Sequence, residues 1–209
     1  EGEAADVKAR LQDLLKQGAQ KLVIDLRGTA GGSRRTEAAA GRVRPYRSWR
    51  PIEQATISYG HGVSVTLIQL ARAYSVFASD GWLVPLTLLR ADTTAVPVRA
   101  MSPETARAMR RMLEMAVGPE GTAPAARIPA YRVAGKTGTA YKIKNGQYVK
   151  EYVASFVGFA PVSDPRIVVA VMIDEPAGQH YGGQVAAPVF AAITASALRT
   201  LQVAPDAPL

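Results

Sequence analysis

The last third of the chain constrains the fold most, because three strand-like runs follow one another there with turn signals between them. The runs are Tyr131–Tyr141, Tyr152–Ala160 and Arg166–Asp174. Asn145-Gly146 is typical of a tight hairpin, and Asp164-Pro165 is typical of a turn. Since short connections of this kind join antiparallel neighbours, the sequence predicts an antiparallel sheet of at least three strands.

Helical patterns precede and follow these strands. Apolar residues at helical spacing predict one helix from about Val65 to Ser79. Ser102 is predicted to cap a second helix, which has Pro103 at its first position. A third helix is predicted to begin near Pro188 and to run to about Leu201. The fold class predicted is therefore α+β, or α/β in the broad sense, with a mainly antiparallel sheet covered by helices. The second helix also carries three methionines that we interpret as core residues: Met109, Met112 and Met115.

The first part of the chain reads as one α-β unit, whose strand could add to a free edge of the sheet. The stretch "AADVKARLQDLLKQGAQ" predicts an amphipathic helix, and Lys21–Gly28 predicts a short strand. A glycine-rich loop follows the strand. We interpret Glu37–Ser64 as irregular, because Pro45 and Pro51 break regular structure.

Composition excludes several kinds of site. The chain of 209 residues has no cysteine, which rules out disulfides, thiolate metal sites and cysteine nucleophiles. His61 and His180 are too few for a metal cage, so we predict no metal and no cofactor. The net charge is +8, but the densest arginine group, Gly41–Arg50, is short and broken by Pro45. We therefore predict no nucleic-acid binding, and favour a solvated face or contact with acidic polymers or membrane. No apolar run of about 18 residues occurs, so we expect a soluble chain.

The run Lys136-Thr137-Gly138-Thr139 is unusual for the middle of a strand, since lysine and glycine are poor strand formers. On a regular strand the lysine and glycine point to one face and the threonines to the other. One ligand can meet both sets if it lies along the strand edge, where Gly138 leaves room for a substrate backbone. The ammonium and hydroxyl groups suit a peptide that ends in a carboxylate. A glycine bulge with a solvated lysine explains these four residues equally well.

The wider context adds a resemblance. Lys-Thr-Gly is one of three signature motifs of penicillin-recognising serine enzymes. Together with "GRVRPYRSWRPIEQATISYGHGVSVTLIQLARAYSVFASDGWLVPL", "YRVAGKTGTAYKI", "YVASFVGFAP" and "HYGGQVAAPVFAAI", it makes residues 41–209 resemble the C-terminal part of the transpeptidase domain of division-specific class B penicillin-binding proteins. Those proteins are septal peptidoglycan D,D-transpeptidases of Gram-negative bacteria.

The resemblance implies a partial penicillin-binding or β-lactamase-like transpeptidase fold and a location in the periplasm, with the parent anchored in the inner membrane. It implies a peptidoglycan stem peptide or a β-lactam as the ligand, and division proteins as partners. Lys136 and Thr137 would orient the terminal carboxylate, and the Thr139 amide would help hold an oxyanion. The "YGG" run matches the family's loop before the last helix, at the rim of the site. The substrate-binding residues implied are Lys136, Thr137, Gly138, Thr139, Tyr181, Gly182 and Gly183.

Two other signature motifs of that family are missing from this chain. No serine has a lysine three residues later, so the Ser-x-x-Lys nucleophile motif is absent. The only asparagine is Asn145, and Ile143 stands two residues before it, so Ser-x-Asn is absent as well. We therefore identify no catalytic residue and expect little or no transpeptidase activity or acylation by penicillin.

The segment "DVKARLQDLLKQGAQKLVIDLRGTAGGS" is similar instead to a helix-strand-glycine segment of C-terminal processing (tail-specific) proteases. This predicts a division into residues 1–40, of different origin, and residues 41–209. Three hypotheses follow: a fragment or chimera of a septal D,D-transpeptidase, a non-enzymatic chimeric scaffold or binding module, and a protease-related module. Ser33 would be the nucleophile of the third, although no base for it is identifiable.

Overall fold

A computed structural model describes residues 22–25, 44–58, 63–86, 96–145 and 147–208. The predicted N-terminal helix, the glycine-rich loop with Ser33, and His61 lie outside these residues. The described part has six strands and four α-helices: β1 (Leu22–Asp25), α1 (Pro51–Ile57), α2 (Leu67–Ala78), β2 (Trp82–Leu83), β3 (Val98–Arg99), α3 (Pro103–Met115), β4 (Ala134–Lys144), β5 (Gln147–Ala160), β6 (Ile167–Asp174) and α4 (Gly182–Thr200). Single 3-10 turns occupy Tyr46–Ser48 and Pro124–Ala126.

The main sheet has four strands in the order β1-β6-β5-β4. β4, β5 and β6 form the predicted antiparallel meander, with Thr137 opposite Phe156 and Phe156 opposite Val171. β1 adds to the free edge of β6 in parallel, with Leu22 opposite Ile167. The prediction of an α+β fold with a mainly antiparallel sheet is confirmed, and β4 is left as the outer strand on the other edge.

Strict alternation along β5 and β6 places apolar side chains on both faces of the sheet. Phe156 and Val169 belong to a core that α4 covers, whereas Phe159 and Ala170 belong to a second core under α2 and α3. Each of these four side chains is almost wholly buried. The sheet is therefore a middle layer between two layers of helix, as expected for a sheet that is apolar on both faces.

The start of α4 differs from the prediction. The helix begins at Gly182, six residues before Pro188, and Pro188 lies inside it. Glycine is a poor helix former, which is why Tyr181-Gly182-Gly183 reads as a loop in the sequence. In the structure Tyr181 is the N-cap and the two glycines are the first two helical residues. The prediction that this run is a loop is wrong, and the run instead places a helix N-terminus against the sheet.

Two further sequence interpretations are corrected. Pro51 does not break regular structure but begins α1, since a proline at the first helical position loses no hydrogen bond. The methionines of α3 are not all core residues, because Met112 and Met115 are 61% and 75% exposed. The predicted cap of α3 is confirmed: the Ser102 hydroxyl accepts a hydrogen bond from the Thr105 amide at 3.2 Å.

The β4–β5 hairpin extends well beyond the helices that cover its base. Asn145 at its tip has φ of +53°, a left-handed conformation that asparagine tolerates. The register shifts between Tyr141 and Lys142, where β5 carries two extra residues, Lys150 and Glu151. Among the residues that the structure describes, no helix is long and apolar enough to cross a membrane.

Candidate functional site

The four residues Lys136-Thr137-Gly138-Thr139 lie in β4, on the exposed edge of the main sheet. Thr137 pairs with Phe156 and Thr139 with Ala154, so both threonines stand on the face that α4 covers. Lys136 pairs with Val157 on the opposite face. The predicted division of the two sets between the faces is confirmed, and so is the position at an edge.

The Lys136 side chain does not stay on its own face. Its ammonium curls around the open edge of the sheet and donates a hydrogen bond to the Thr137 hydroxyl at 2.9 Å. The Thr137 hydroxyl in turn donates to the Thr122 hydroxyl at 3.3 Å. The edge position therefore lets one cation and two hydroxyls converge although the strand alternation separates them. Thr122 is a site residue that the sequence analysis did not identify, because no local pattern indicates that it contacts Thr137.

Thr139 is held by the N-terminus of α4. The Gly182 amide donates a hydrogen bond to the Thr139 hydroxyl oxygen at 3.0 Å. This bond satisfies one of the amides that a helix start leaves without an intrahelical partner. It leaves the hydroxyl proton of Thr139 available to donate elsewhere. The partial positive charge of the helix start therefore lies beside Thr139 and favours an anionic ligand there.

Close backbone approach explains why glycines occupy this junction. A Cβ added at Gly182 would lie 2.3 Å from the Ser155 carbonyl oxygen and 2.6 Å from that of Gly138. A Cβ at Gly183 would lie 2.3 Å from the Thr122 carbonyl oxygen. A side chain at Gly138 would meet the Ser155 hydroxyl at 2.5 Å. Packing therefore requires glycine at positions 182 and 183, where backbone is in the way, whereas at Gly138 only the Ser155 side chain would have to move. Room for a substrate backbone at Gly138 stays a prediction.

Thr137, Thr139, Tyr181, Gly182 and Gly183 line one open cleft of about 640 Å³, whose lining includes neither Lys136 nor Gly138. Its walls are Thr137 and Thr139 on one side and the start of α4 on the other, with the Pro124–Ala126 turn closing one end. No acidic residue is among the described residues that line it. The cleft therefore combines hydroxyl donors, a helix N-terminus and a neighbouring ammonium group with no opposing negative charge, which suits a carboxylate.

A row of aromatic rings continues from the rim of this cleft. The Tyr181 ring contacts His180 at 4.5 Å between centroids, and His180 stacks on Tyr152 at 3.8 Å. Tyr152 lies 4.8 Å from Tyr141, and a hydrogen bond between their hydroxyls raises the pKa of Tyr152. In the sequence analysis, His180 was considered only as a metal ligand and was given no place in a binding site. Tyr141 faces Tyr152 only because the hairpin register shifts beside that pair, so no local pattern in the sequence locates the row.

Five of the seven predicted substrate-binding residues thus line one cleft, while the Lys136 ammonium bonds to Thr137 beside it and Gly138 lies outside the lining. A second, larger cavity of about 700 Å³ lies between the end of α3 and the C-terminal tail, lined by Tyr131, Arg132 and Ala207 among others. It contains none of the predicted residues. Among the described residues no group of three or more histidine, aspartate or glutamate side chains is placed to hold a metal ion.

Comparisons with known proteins show which family the chain belongs to. The family model for the penicillin-binding protein transpeptidase domain matches residues 13–195. The chain is 44% identical over 172 residues to a protein named probable peptidoglycan D,D-transpeptidase PenA of Neisseria gonorrhoeae, covering 81% of this chain and 30% of that protein. It is 42% identical over 161 residues to peptidoglycan D,D-transpeptidase FtsI of Escherichia coli K12, covering 76% and 27%.

A solved structure shows the same fold. The apo structure of the TP domain from Burkholderia pseudomallei penicillin-binding protein 3 is 56% identical, with a TM-score of 0.75. The match covers 81% of this chain and 53% of that one. The chain therefore spans about 30% of the length of these curated relatives and about half of the solved domain. With a partial transpeptidase fold and a family match over most of its residues, the chain belongs to the penicillin-binding protein transpeptidase domain family.

Proposed function

We propose that this chain is the carboxylate-binding part of a septal peptidoglycan D,D-transpeptidase and that it does not carry out acyl transfer by itself. The observation that carries the proposal is that Thr137 and Thr139 line one open cleft beside the start of α4, while the Lys136 ammonium bonds to the Thr137 hydroxyl. In the parent reaction a serine attacks the D-Ala-D-Ala bond of a stem peptide, and an amine of a second stem releases the acyl group. The chain's own residues would hold the terminal carboxylate.

The absence of the nucleophile motif supports the second half of the proposal. No serine of the chain has a lysine three residues later, so the pair that the family uses as nucleophile and base is missing. Ser155 lies beside Gly138, but its strand carries Gly158 where that lysine would stand. We accordingly propose that the chain binds a D-Ala-D-Ala end, or a β-lactam, reversibly. The location we propose is the periplasm, where peptidoglycan is cross-linked.

The first experiment asks whether a covalent bond forms. The purified chain is incubated with a fluorescent penicillin, separated under denaturing conditions and examined by mass spectrometry. We expect no adduct. A labelled serine identified by peptide mapping would contradict the proposed inactivity.

The second experiment asks whether the carboxylate is recognised. Titration calorimetry compares a peptide that ends in D-Ala-D-Ala with the same peptide as a C-terminal amide. We expect binding only with the free carboxylate, and weaker binding by Lys136→Met. Lys150→Met is the matched control, because Lys150 is an exposed lysine of the same hairpin. An equal loss of peptide affinity in both variants would mean that the peptide is attracted by the overall positive charge and not by Lys136 in particular.

The non-enzymatic alternative gives a different result. A folded scaffold without a ligand site would unfold cooperatively, and neither a β-lactam nor the peptide would raise its melting temperature. The different origin of residues 1–40 and the chimeric character stay predictions, as does the protease-related module. The last requires that the chain cleave an unstructured peptide and that Ser33→Ala abolish the cleavage.

A further inference from the structure

The exposed face of the β4–β5 hairpin carries aromatic side chains that the carboxylate cleft does not use. Tyr141 and Tyr148 are 56% and 57% exposed, and their ring centroids lie 6.3 Å apart. Tyr141 also contacts Tyr152, whose ring is stacked on His180 next to the cleft. Ile143, opposite Tyr148 in the hairpin, is 60% exposed. The result is a continuous row of rings that runs from the cleft to the outer part of the hairpin.

The type of aromatic residue in this row is informative. The phenylalanines of the chain lie in the two cores: Phe156, Phe159 and Phe190 have no exposed surface, and Phe77 is packed against the second core. The exposed hairpin row consists of tyrosines joined to a histidine. Tyrosine offers an apolar ring face together with a hydroxyl that stays in water. Such a surface suits a ligand that is itself apolar on one face and rich in hydroxyl or amide groups at its edges.

The charges around the row argue for an uncharged ligand. Lys142 of the hairpin bonds to Asp174 and Glu175 at the end of β6, Lys144 bonds to Glu151, and Lys150 is exposed. These three lysines and three carboxylates balance, so the charged side chains around the ring row have no net charge. A lipid surface or an acidic polymer would require an excess of cations near the rings. A sugar ring is uncharged and has an apolar C–H face with polar groups at its edge, so it fits both the tyrosine surface and the balanced charges.

We propose that Tyr141 and Tyr148, supported by the ring of Tyr152, form a subsite for the N-acetylated sugar rings of the glycan that carries the stem peptide. This inference rests on the proposed function, since the cleft supplies the anchor. An extended peptide advances about 3.3 to 3.6 Å per residue. A stem peptide of a few residues, held by its carboxylate at Thr137 and Thr139, therefore reaches the hairpin along the ring row. The sugar stacks on the exposed tyrosine rings while its acetamide and hydroxyl groups meet their hydroxyls and solvent.

The test uses chitotetraose, an uncharged oligosaccharide of N-acetylglucosamine without any peptide, and the full chain. NMR titration follows the tyrosine ring protons, and calorimetry measures the affinity. We expect binding that Tyr148→Ala or Tyr141→Ala weakens by about two- to tenfold per ring, the range of an aromatic contact. Phenylalanine at either position should keep most of the affinity, because the stacking face remains. The matched control is Tyr46→Ala, since Tyr46 is an exposed tyrosine of another segment, 69% exposed.

The outcomes separate this inference from the proposed function. If chitotetraose binds and the D-Ala-D-Ala peptide does not, the subsite stands and the carboxylate role fails. If the peptide binds and chitotetraose does not shift the hairpin tyrosines, the inference is overturned and the carboxylate role stands. An equal effect of Tyr46→Ala and Tyr148→Ala would also overturn it. So would binding of the wild-type chain, but not of the Tyr148→Ala variant, to vesicles of anionic phospholipid without glycan.

Discussion

The two halves of the β4–β5 hairpin differ in what surrounds them. At the base, Phe156 and Val157 point into separate cores, so helices cover both faces of the sheet. Beyond Tyr141 the same two strands leave this cover, and their side chains form ion pairs and ring contacts in water. The first half is held by packing and the second by surface interactions. The candidate site lies at the boundary, where the sheet is rigid enough to position Thr139 and open enough to admit a ligand.

The largest effect should come from removing a ring at the base. Phe156→Ala deletes a side chain that has no exposed surface and that contacts Phe190 at 4.7 Å between ring centroids. Substitutions of this kind cost about 3 to 5 kcal/mol. Urea unfolding monitored by circular dichroism measures the loss. Tyr148→Ala in the outer half is the comparison, and we expect it to change the free energy of unfolding by less than about 0.5 kcal/mol. Equal losses would mean that the two halves are not held differently.

A smaller loss should follow from a methyl group at the boundary. Gly182→Ala places a Cβ 2.3 Å from a backbone carbonyl oxygen, so the start of α4 must move away from β4. We expect a loss of about 1 to 3 kcal/mol, as for other overpacked sites, together with weaker binding of the D-Ala-D-Ala peptide. Gly178→Asn is the control, because Gly178 has open space around it and a φ of +80° that asparagine tolerates. Unchanged peptide affinity in Gly182→Ala would show that the helix start does not contribute to the site.

Removing a single hydroxyl at the boundary should affect stability less than it affects binding. Thr139→Val keeps the shape of the side chain but leaves the Gly182 amide without its acceptor, which costs about 1 kcal/mol or somewhat more. Thermal unfolding and peptide titration on the same sample separate the two effects. Thr139→Ser should restore both the thermal stability and the peptide affinity, because serine also has a hydroxyl group that can accept the hydrogen bond. If Thr139→Ser does not restore peptide binding, the hydroxyl of residue 139 is not the group that contacts the peptide.

The smallest effect concerns the ion pairs of the outer half. Hydrogen bonds to Glu175 and Asp174 raise the pKa of Lys142 from 10.5 to about 12, and Lys142 lowers the pKa of Glu175 below 4.5. The contribution of Lys142 to the free energy of unfolding is complete below pH 10.5 and is lost as the pH rises through 12. The glutamate's contribution is complete above pH 4.5 and is lost as the pH falls through its lowered pKa.

Melting curves of wild type and Lys142→Met should therefore differ slightly between about pH 5 and pH 10 and converge at either extreme and in high salt. Lys150→Met, which removes an exposed lysine of the same strand pair, is the control. A difference that persists in acid would mean that Lys142 contributes by packing its aliphatic stem.

The base of the hairpin was predictable because its residues obey local rules. Strand-like runs bounded by turn signals predicted β5 and β6, and Ser102-Pro103 predicted the start of α3. The site was predictable only in part. Thr122 joins it through a contact with Thr137, fifteen residues later in the chain, and no local pattern signals such a contact.

The start of α4 and the ring row escaped prediction for a related reason. The sequence of Gly182 and Gly183 opposes a helix, yet backbone carbonyls of neighbouring segments leave room for nothing larger there. The meeting of Tyr141 with Tyr152 depends on the register of the hairpin, which shifts beside that pair. Both are products of tertiary packing, which overrides local propensity.

The parallel pairing of β1 with β6 also bears on how the molecule assembles. Leu22 meets Ile167 across a separation of about 145 residues, whereas β4, β5 and β6 are joined by short turns. Closing so long a loop is slow compared with forming a hairpin, so we expect β1 to dock last, onto a meander that already exists. Until then the outer edge of β6 offers unpaired backbone groups. A second copy's β1 satisfies them equally well, which makes exchange of this strand between two copies the natural competing product at high protein concentration.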